Sequence, residues 1–559
     1  MFRSVAIGCT VLFSLMTLVP GAAAGEFSLS VDRSDGFDLG ANEVLGLDLN
    51  RACEIALARN LDLQVGRYDL AIAETQIIGA SGVFDPTFNL GVNGDSTESP
   101  SASQLDGAEV NESRNTSFAL GLSNFLPTGG SLGVDLRTRR TETNSQFYFL
   151  NPNWGTQFGA TFTQPLLKNF GTLVNRSGII IARTNREQAV ETLKLQVIST
   201  LQQVENAYWD YASAQVEVEV KQQSLELATQ LMEETGERIR VGTSAPIDLV
   251  QSEATVATRR QELILARNAR ANAEDALKKV LGFETPQEWA LNIDTTEPYV
   301  FIPLEVNLAE SIETALEQRP EVRQQNLALE NMELNTKIAR NATLPSLDLS
   351  ASYGYSGVGG TLNTEDPVTE EPMRIKGGFD DSLDQIINTD FPYWTLGVTL
   401  KMPLGNNEAK ATLARRRFEH HQAVTRMTAL KQSITHDVRL AVRYLYDGAA
   451  SVDAAKASRV LAERNAEAEQ TKFQNGLSTN FLVLQIQDDL ANAQLSALRA
   501  RLNYRRAIVG YRVATGTLLD EIGIDIADPG AQEEPHTLWR NVKWMQFSDL
   551  SKDGDDAAN

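Results

Sequence analysis

Between Val190 and Ile239 an apolar residue returns every seven positions: Val190, Val197, Val204, Tyr211, Val218, Leu225, Met232 and Ile239. A seven-residue apolar repeat marks the seam of a coiled-coil helix, and no proline interrupts the chain from about Asn175 to Arg240. Roughly 65 residues rising 1.5 Å each predict a helix of roughly 100 Å. A second proline-free run extends from about Asn407 to Asn475. A glycine follows each run, at Gly242 and at Gly476, and a shorter returning helix then ends at Gly282 or Gly516. The pattern predicts two long helical hairpins whose apolar seams need neighbouring helices, in the same chain or in others.

Ahead of each hairpin the period changes from seven to two. After Pro345, the residues Leu347, Leu349, Ala351, Tyr353 and Tyr355 alternate with polar ones. A return strand places Trp394, Leu396, Val398, Leu400 and Met402 on one face and stops at Pro403. The first half holds four such stretches: Phe88 to Val92, Phe118 to Leu122, Leu132 to Leu136, and Phe158 to Gln164 before Pro165. Leu126-Pro127-Thr128-Gly129-Gly130 reads as a tight turn between two of them. The intervening segments, Asp95 to Asn115 and Gly359 to Asp390, are rich in Ser, Asn, Gly and Asp and read as loops. Alternation of this kind suits a strand with one apolar face, in a membrane barrel or in a soluble antiparallel sheet. Tyr148, Trp154, Tyr393 and Trp394 lie near strand ends, where interfacial aromatics sit in a membrane barrel.

The two halves repeat each other. Gly242 and Gly476, Ser244 and Ser478, Gln251 and Gln485, Ala266 and Ala500, and Gly282 and Gly516 are each 234 positions apart. Ala56-Leu57 and Ala315-Leu316, Pro86 and Pro345, and Leu90 and Leu349 are each 259 apart. Constant offsets of this length predict an internal tandem duplication. The expected organisation is a signal at 1–24, a first repeat at 25–282, a linker at 283–305, a second repeat at 306–516 and an acidic, partly disordered tail at 517–559. Each repeat opens with a short helix pair, Asn50 to Gly79 or Leu308 to Thr343. Strands at about 84–165 or 346–403 follow, and then the hairpin at about 175–282 or 407–516.

Composition narrows the function. Arg3, the apolar run Val5 to Val19 and Ala22-Ala23-Ala24 form an export signal with cleavage expected after Ala24. The signal takes Cys9 with it and leaves Cys53, read as a small buried apolar residue. The net charge is −23, a balance that disfavours nucleic acid, which is bound by neutralising phosphates with Lys and Arg. Past the signal no apolar run of about 20 residues occurs, so a membrane segment has to be a closed barrel. Gly357-Val358-Gly359-Gly360 is loop composition and not a phosphate cradle. The adjacent His420 and His421 lack metal-ligand spacing, and His436 and His536 stand alone. No carboxylate pair or nucleophile suggests an enzyme, a cofactor or a metal.

In order and in duplicate, these features resemble the TolC-like outer-membrane efflux protein family across essentially all of the mature chain. The residues that carry the resemblance are Ala56-Leu57, Pro86 and Pro345, Thr163-Gln164-Pro165-Leu166-Leu167, Ala207-Tyr208-Trp209-Asp210-Tyr211, Val241-Gly242-Thr243-Ser244 and Asn475-Gly476-Leu477-Ser478. The resemblance implies an α+β membrane protein: a homotrimer whose chains share one transmembrane antiparallel β-barrel, continued by a long periplasmic α-helical barrel. Such proteins provide a passive exit duct for drug efflux, metal efflux or type I secretion, joined by a periplasmic adaptor to an inner-membrane transporter. Four strands per chain are usual; four candidates in the first half alone leave open a larger barrel or a hairpin outside it.

By the same resemblance, Val241, Gly242, Thr243, Ser244, Gly476, Leu477 and Ser478 are the tips that meet the adaptor. A ring of acids that closes the periplasmic end is expected six and nine positions past the second tip glycine, where this chain has Leu482 and Gln485. Asp488 and Asp489 follow, as a displaced ring or as a solvated helix face. Asp248 matches a family acid, and Phe473 stands where a tyrosine is usual, which removes a hydroxyl latch to Asp248. Closure is therefore expected to be more apolar. A different reading is a non-conducting rod that spans the periplasm, which would not need the strands. The tail from Leu518 to Asn559, with Trp539, Trp544 and Phe547, is expected to pack around the middle of the shaft together with Phe283 to Leu304.

Overall fold

The computed structural model describes residues 44–101, 109–145, 148–296, 301–365 and 372–524. The signal expected at 1–24 and the aromatic tail expected to dock lie outside these residues. The chain divides into two units, Met1–Gly46 with Thr285–Asp294, and the remainder. In the smaller, strand β1 (Val44–Leu47) pairs with β6 (Asn292–Thr295). A short helix α6 (Pro286–Trp289) starts at a capping box: the Thr285 hydroxyl accepts from the Glu288 amide at 3.3 Å, and the Glu288 carboxylate accepts from the Thr285 amide at 2.9 Å. The segment read as a linker thus carries regular structure of its own.

Four helices dominate the larger unit. After the single turn α3 (Thr172–Asn175), helix α4 (Ser177–Arg240, 64 residues) returns as α5 (Pro246–Leu281, 36 residues), and α10 (Asn407–Gln474, 68 residues) returns as α11 (Asn480–Thr515, 36 residues). At 1.5 Å per residue α4 is about 96 Å long and α10 about 102 Å. Along α4, Val190, Val197, Val204 and Tyr211 are buried as the seam predicts. Beyond Val218 the seam positions are only half-buried, and Ser224, Ala228, Leu231 and Thr235 are buried instead. A helix of 3.6 residues per turn drifts by about 20° per heptad against a strict seven-residue repeat. Over several heptads a different stripe comes to face the partner helix.

Midway along α4 lie the largest fully buried side chains, Tyr208, Trp209 and Tyr211. The Tyr208 hydroxyl donates to the Leu47 carbonyl at 3.1 Å, and Tyr208 meets Trp209 edge-on at 5.4 Å. Arg505 of α11 stacks its guanidinium 5.0 Å over Trp209, and Arg506 pairs with Asp210, so this aromatic block ties α4 to α11. Burial and the Glu274 charge push the Tyr211 hydroxyl up to about 12. Cys53 is buried, as expected.

Short helices fill the positions the sequence assigns them. The first pair resolves into α1 (Leu49–Arg59) and α2 (Leu61–Ser81), the second into α7 (Leu308–Gln318) and α8 (Pro320–Ala342). Asn60 breaks the first pair: its side chain accepts from the Asp62 and Leu63 amides and donates to the Val280 carbonyl at 3.0 Å, holding the end of α5. Gly282, just past α5, has φ +78, and a Cβ there would lie 2.6 Å from the Arg59 carbonyl oxygen. Gly516, past α11 and before α12 (Leu518–Ile522), sits in the same way against Gln318 and Arg319.

The strands form one curled antiparallel sheet. β2 (Thr87–Pro100), β3 (Val110–Phe125), β4 (Ser131–Thr143), β5 (Leu150–Pro165) and β7 (Ser346–Glu365) follow in order. On the far edge of β7, β9 (Pro392–Lys401) pairs with Ser346–Tyr355 and the short β8 (Pro372–Ile375) with Leu362–Glu365. Hydrogen-bonded neighbours in register share a face. One row across six strands reads Phe88, Leu122, Val134, Ala160, Tyr353, Trp394. The adjoining row reads Asn89, Gly121, Asp135, Gly159, Gly354, Tyr393. One face is therefore apolar from edge to edge and the other is small and polar. Much of the apolar face is open: Phe88, Leu122, Leu396 and Val398 are exposed, and Trp394 is 73% exposed.

Parts of two stretches read as loops are regular structure. β2 and β3 run on to Pro100 and from Val110 with no alternation to announce them. Within the segment Gly359 to Asp390 lie the end of β7, β8 and a helix, α9 (Phe379–Ile387). Ser382 of α9 is fully buried against Gly357, and its hydroxyl bonds Thr156 at 2.8 Å. The turn from Leu126 to Gly130 is as predicted, with the Leu126 amide donating to the Gly130 carbonyl at 2.7 Å.

Candidate functional site at the hairpin tips

Each long helix ends in the same cap. At the first tip the Thr243 amide donates to the Arg238 carbonyl at 2.8 Å and the Gly242 amide to the Ile239 carbonyl at 3.0 Å. At the second, Leu477 donates to Lys472 at 2.8 Å and Gly476 to Phe473 at 3.0 Å. These are Schellman caps, which need a left-handed residue, and Gly242 and Gly476 have φ +82 and +72. The Ser244 and Ser478 positions turn the chain into the next helix, and the Ser478 hydroxyl donates to Glu469. That bond first, and Lys472 second, hold the Glu469 carboxyl below the usual glutamate range. Val241 and Leu477 project outward, 74% and 78% exposed.

Just above the tips a buried polar node joins the two hairpins. Asn480, at the start of α11, accepts from the Thr235 hydroxyl of α4 at 3.3 Å. Its amide nitrogen donates to the Asp248 carbonyl at 3.1 Å and to the Ser252 hydroxyl of α5 at 2.8 Å. All three side chains are buried. Beside the node, Phe473 packs against Leu231, Val483 and Leu484, and the Arg238 guanidinium lies 4.2 Å over its ring while donating to its carbonyl. Two turns higher, Asp488 pairs with Arg259, which also binds Glu262 at 3.1 Å; Lys221 binds Glu262 at 2.8 Å. Burial pushes the Glu262 carboxyl up, but hydrogen bonds from Lys221 and Arg259 outweigh it and hold the group low.

The constriction candidates therefore separate. Phe473 is in the core between the hairpins, and Asp248 caps α5, its carboxylate accepting from the Ala245 amide at 3.2 Å. Asp488 is an ion-pair partner within the chain. Leu482, Gln485 and Asp489 are on the exposed face of α11. Among the described residues no group of His, Cys, Asp and Glu is placed to hold a metal ion, and no helix is long and apolar enough to cross a membrane.

Residues 132–283 and 311–517 match the family model described as outer membrane efflux protein. The chain belongs to that family. Among curated outer membrane efflux proteins, the chain is 25% identical over 332 residues to outer membrane protein TolC of Vibrio cholerae, covering 58% of this chain and 69% of that one. With TolC of Escherichia coli it shares 24% identity over 316 residues, 56% of this chain and 61% of that one. Its fold is similar to that of the Campylobacter jejuni CmeC outer membrane channel, with a TM-score of 0.61 at 16% identity over 86% of this chain and 90% of that one. The outer-membrane channel OprN gives 0.62 at 15% identity over 84% and 90%. This outer membrane efflux protein is thus a channel protein of the outer membrane that extends into the periplasm, in a family of transport components and not of enzymes.

Sequence reasoning passed over the residues that make the tips apolar. Ile247, Val250 and Phe481 are exposed beside Val241, Leu477 and Leu482. Ile247 and Phe481 occupy the same place, five residues past the tip glycine, which is the signal that finds them. The Asn480 node was also missed, because a lone asparagine after a turn reads as a cap.

Proposed function

We propose that three copies of this chain form a passive, water-filled exit duct, that the hairpin tips dock a periplasmic adaptor, and that an inner-membrane transporter supplies the driving force. The observation that carries this reading is the sheet, apolar from edge to edge on one face and small and polar on the other. An exposed apolar wall of this extent is suited to lipid, and the opposite face to a water-filled interior. The long hairpins continue the path on the periplasmic side. The exposed apolar side chains at the tips, Val241, Ile247, Leu477 and Phe481, give an adaptor a surface to bury.

Tandem repeats at 25–282 and 306–516 are part of the same proposal. Matching Schellman caps support them, and so does the parallel seating of Gly282 on the α1–α2 break and Gly516 on the α7–α8 break. The test is imaging and conductance on protein extracted from outer membranes in detergent. Threefold particles with a shaft of roughly 100 Å, as the helix rise requires, which conduct in planar bilayers, bear the reading out. Soluble particles, or rods that do not conduct, replace it with a structural scaffold.

A further inference from the structure

The β3–β4 hairpin decides how wide the outer end of the duct is. It is part of the wall along its whole length. β3 is in register with β2 from Val110 to Ser123 and with β4 from Ser113 to Phe125, and β4 is in register with β5 from Ser131 to Thr141. Its turn is also fastened to the base of the sheet. The Thr128 hydroxyl bonds Gln164 at 2.8 Å, the Gln164 amide donates to the Thr128 carbonyl at 3.2 Å, and the Gly171 amide donates to the same carbonyl at 3.0 Å. A hairpin folded aside would lose all of these.

The wall has two unfinished edges, and each has one natural occupant. β2 leads away from the helices and β9 leads back, with the directions alternating strand by strand between them. An even count of six full-length strands makes β2 of one copy antiparallel to β9 of the next. Nearly every residue of β2 and β9 is exposed, whereas β5, in the middle of the wall, is mostly half-buried. Unpaired strand edges are not tolerated at the depth of lipid. Above β9 the edge of β7 is already closed within the chain. The Gln385 side chain takes the place of a neighbouring peptide, accepting from the Val358 amide at 3.0 Å and donating to the Val358 carbonyl at 2.9 Å. The Ser356 amide donates to the Phe391 carbonyl at 3.0 Å. Among the described residues β9 is the full-length strand left on that side to receive another.

From this we infer that three copies close an eighteen-stranded barrel, in which the outer edge of β2 pairs with β9 of a second copy of this chain. The inference rests on the trimeric duct proposed above. At about 4.8 Å between strands and a tilt of about 40°, eighteen strands enclose a backbone circle roughly 36 Å across. Diameter grows about linearly with strand number, so this is about one and a half times the width that four strands per chain would give. In the interior row the Tyr393 side chain lies across Gly354 and Gly159, and Gly121 and Asp135 add little bulk.

Cryo-electron microscopy of the full-length protein in detergent counts the strands. A threefold particle with eighteen is the expected result. A threefold particle with twelve, its β3–β4 hairpin outside the barrel, overturns the inference and leaves the duct standing. A particle with no threefold barrel overturns both. Cysteine pairs on the polar face give a second measurement: Gly91→Cys combined in turn with Thr395→Cys, Gly397→Cys and Thr399→Cys. Thiol-reversible dimers and trimers are expected for one register, with none from the single variants. No cross-link in any register, from protein that still reaches the outer membrane, also overturns the inference.

Discussion

Replacing Asn480 by alanine should loosen the periplasmic end. The side chain makes three hydrogen bonds, one to Thr235 and two to the Asp248 carbonyl and Ser252, in a place closed to water. A net contribution of about 1 kcal/mol per bond gives about 3 kcal/mol at most. Part is recovered, because the Ser252 hydroxyl still donates to the Asp248 carbonyl at 3.0 Å. A loss of about 2–3 kcal/mol shifts the balance between joined and parted hairpins by roughly 30- to 150-fold, at tenfold per 1.4 kcal/mol. Single-channel recording in planar bilayers should show more frequent openings, and limited proteolysis should cut faster at the turns around Gly242 and Gly476. Asn480→Asp keeps the acceptor for Thr235 but sets a buried carboxylate against the Asp248 carbonyl, so it should loosen the end at least as much as alanine. If Asn480→Ala opens and is cut no more readily than wild type, the node does not hold the hairpins together.

Asp488→Asn should change conductance little, because its side chain is turned to the buried Arg259 of the same chain, whose guanidinium Glu262 still binds at 3.1 Å; a large change in bilayer current would place Asp488 in the path of ions. The low-titrating Glu262 predicts acid sensitivity. Its stabilisation is complete above the ordinary glutamate value of 4.5 and is lost as pH falls through the lowered folded value, so proteolysis should speed up in acid and stay flat from about pH 6 to 8. Gly282→Ala should destabilise more than Gly516→Ala. Both need a left-handed backbone, costing about 1–2 kcal/mol, but the new Cβ meets backbone oxygen at 2.6 Å in the first and backbone nitrogen at 3.2 Å in the second; equal losses in thermal unfolding would refute the difference.

The helices were legible because their signals are local. Missing prolines, a seven-residue repeat and terminal glycines gave α4, α5, α10 and α11 to within a few residues. Strands were legible only where one face is apolar: Phe88 to Val92 announced β2, but its continuation from Gly94 to Pro100 is polar on both faces and read as loop. Helix α9 was hidden by its acidic composition, although Phe379, Ser382 and Ile386 have helical spacing. The tips were found from Gly242 and Gly476, whose conformation only glycine takes easily. The node was not, since nothing in Thr235, Ser252 and Asn480 separately says that three helices bring them together. Nor does the sequence reveal that Arg259 lies between Asp488 and Glu262, an arrangement set by packing across distant segments.

Gln385, filling one stretch of the β7 edge with its own amide, has a consequence for the timing of assembly. The hairpins close through contacts between successive helices, and local contacts form early in folding. The sheet is slower, because its outermost strands begin at Thr87 and end at Lys401 and must gather everything between them. In the proposed trimer the sealed stretch confines the landing site on that side to β9, while β2 stays open along its length. Copies that collide out of step find less to hold, and mispaired encounters separate before they become aggregates. In the proposed trimer the joining of copies would then be selective, with its rate rising with the amount of protein delivered to the membrane.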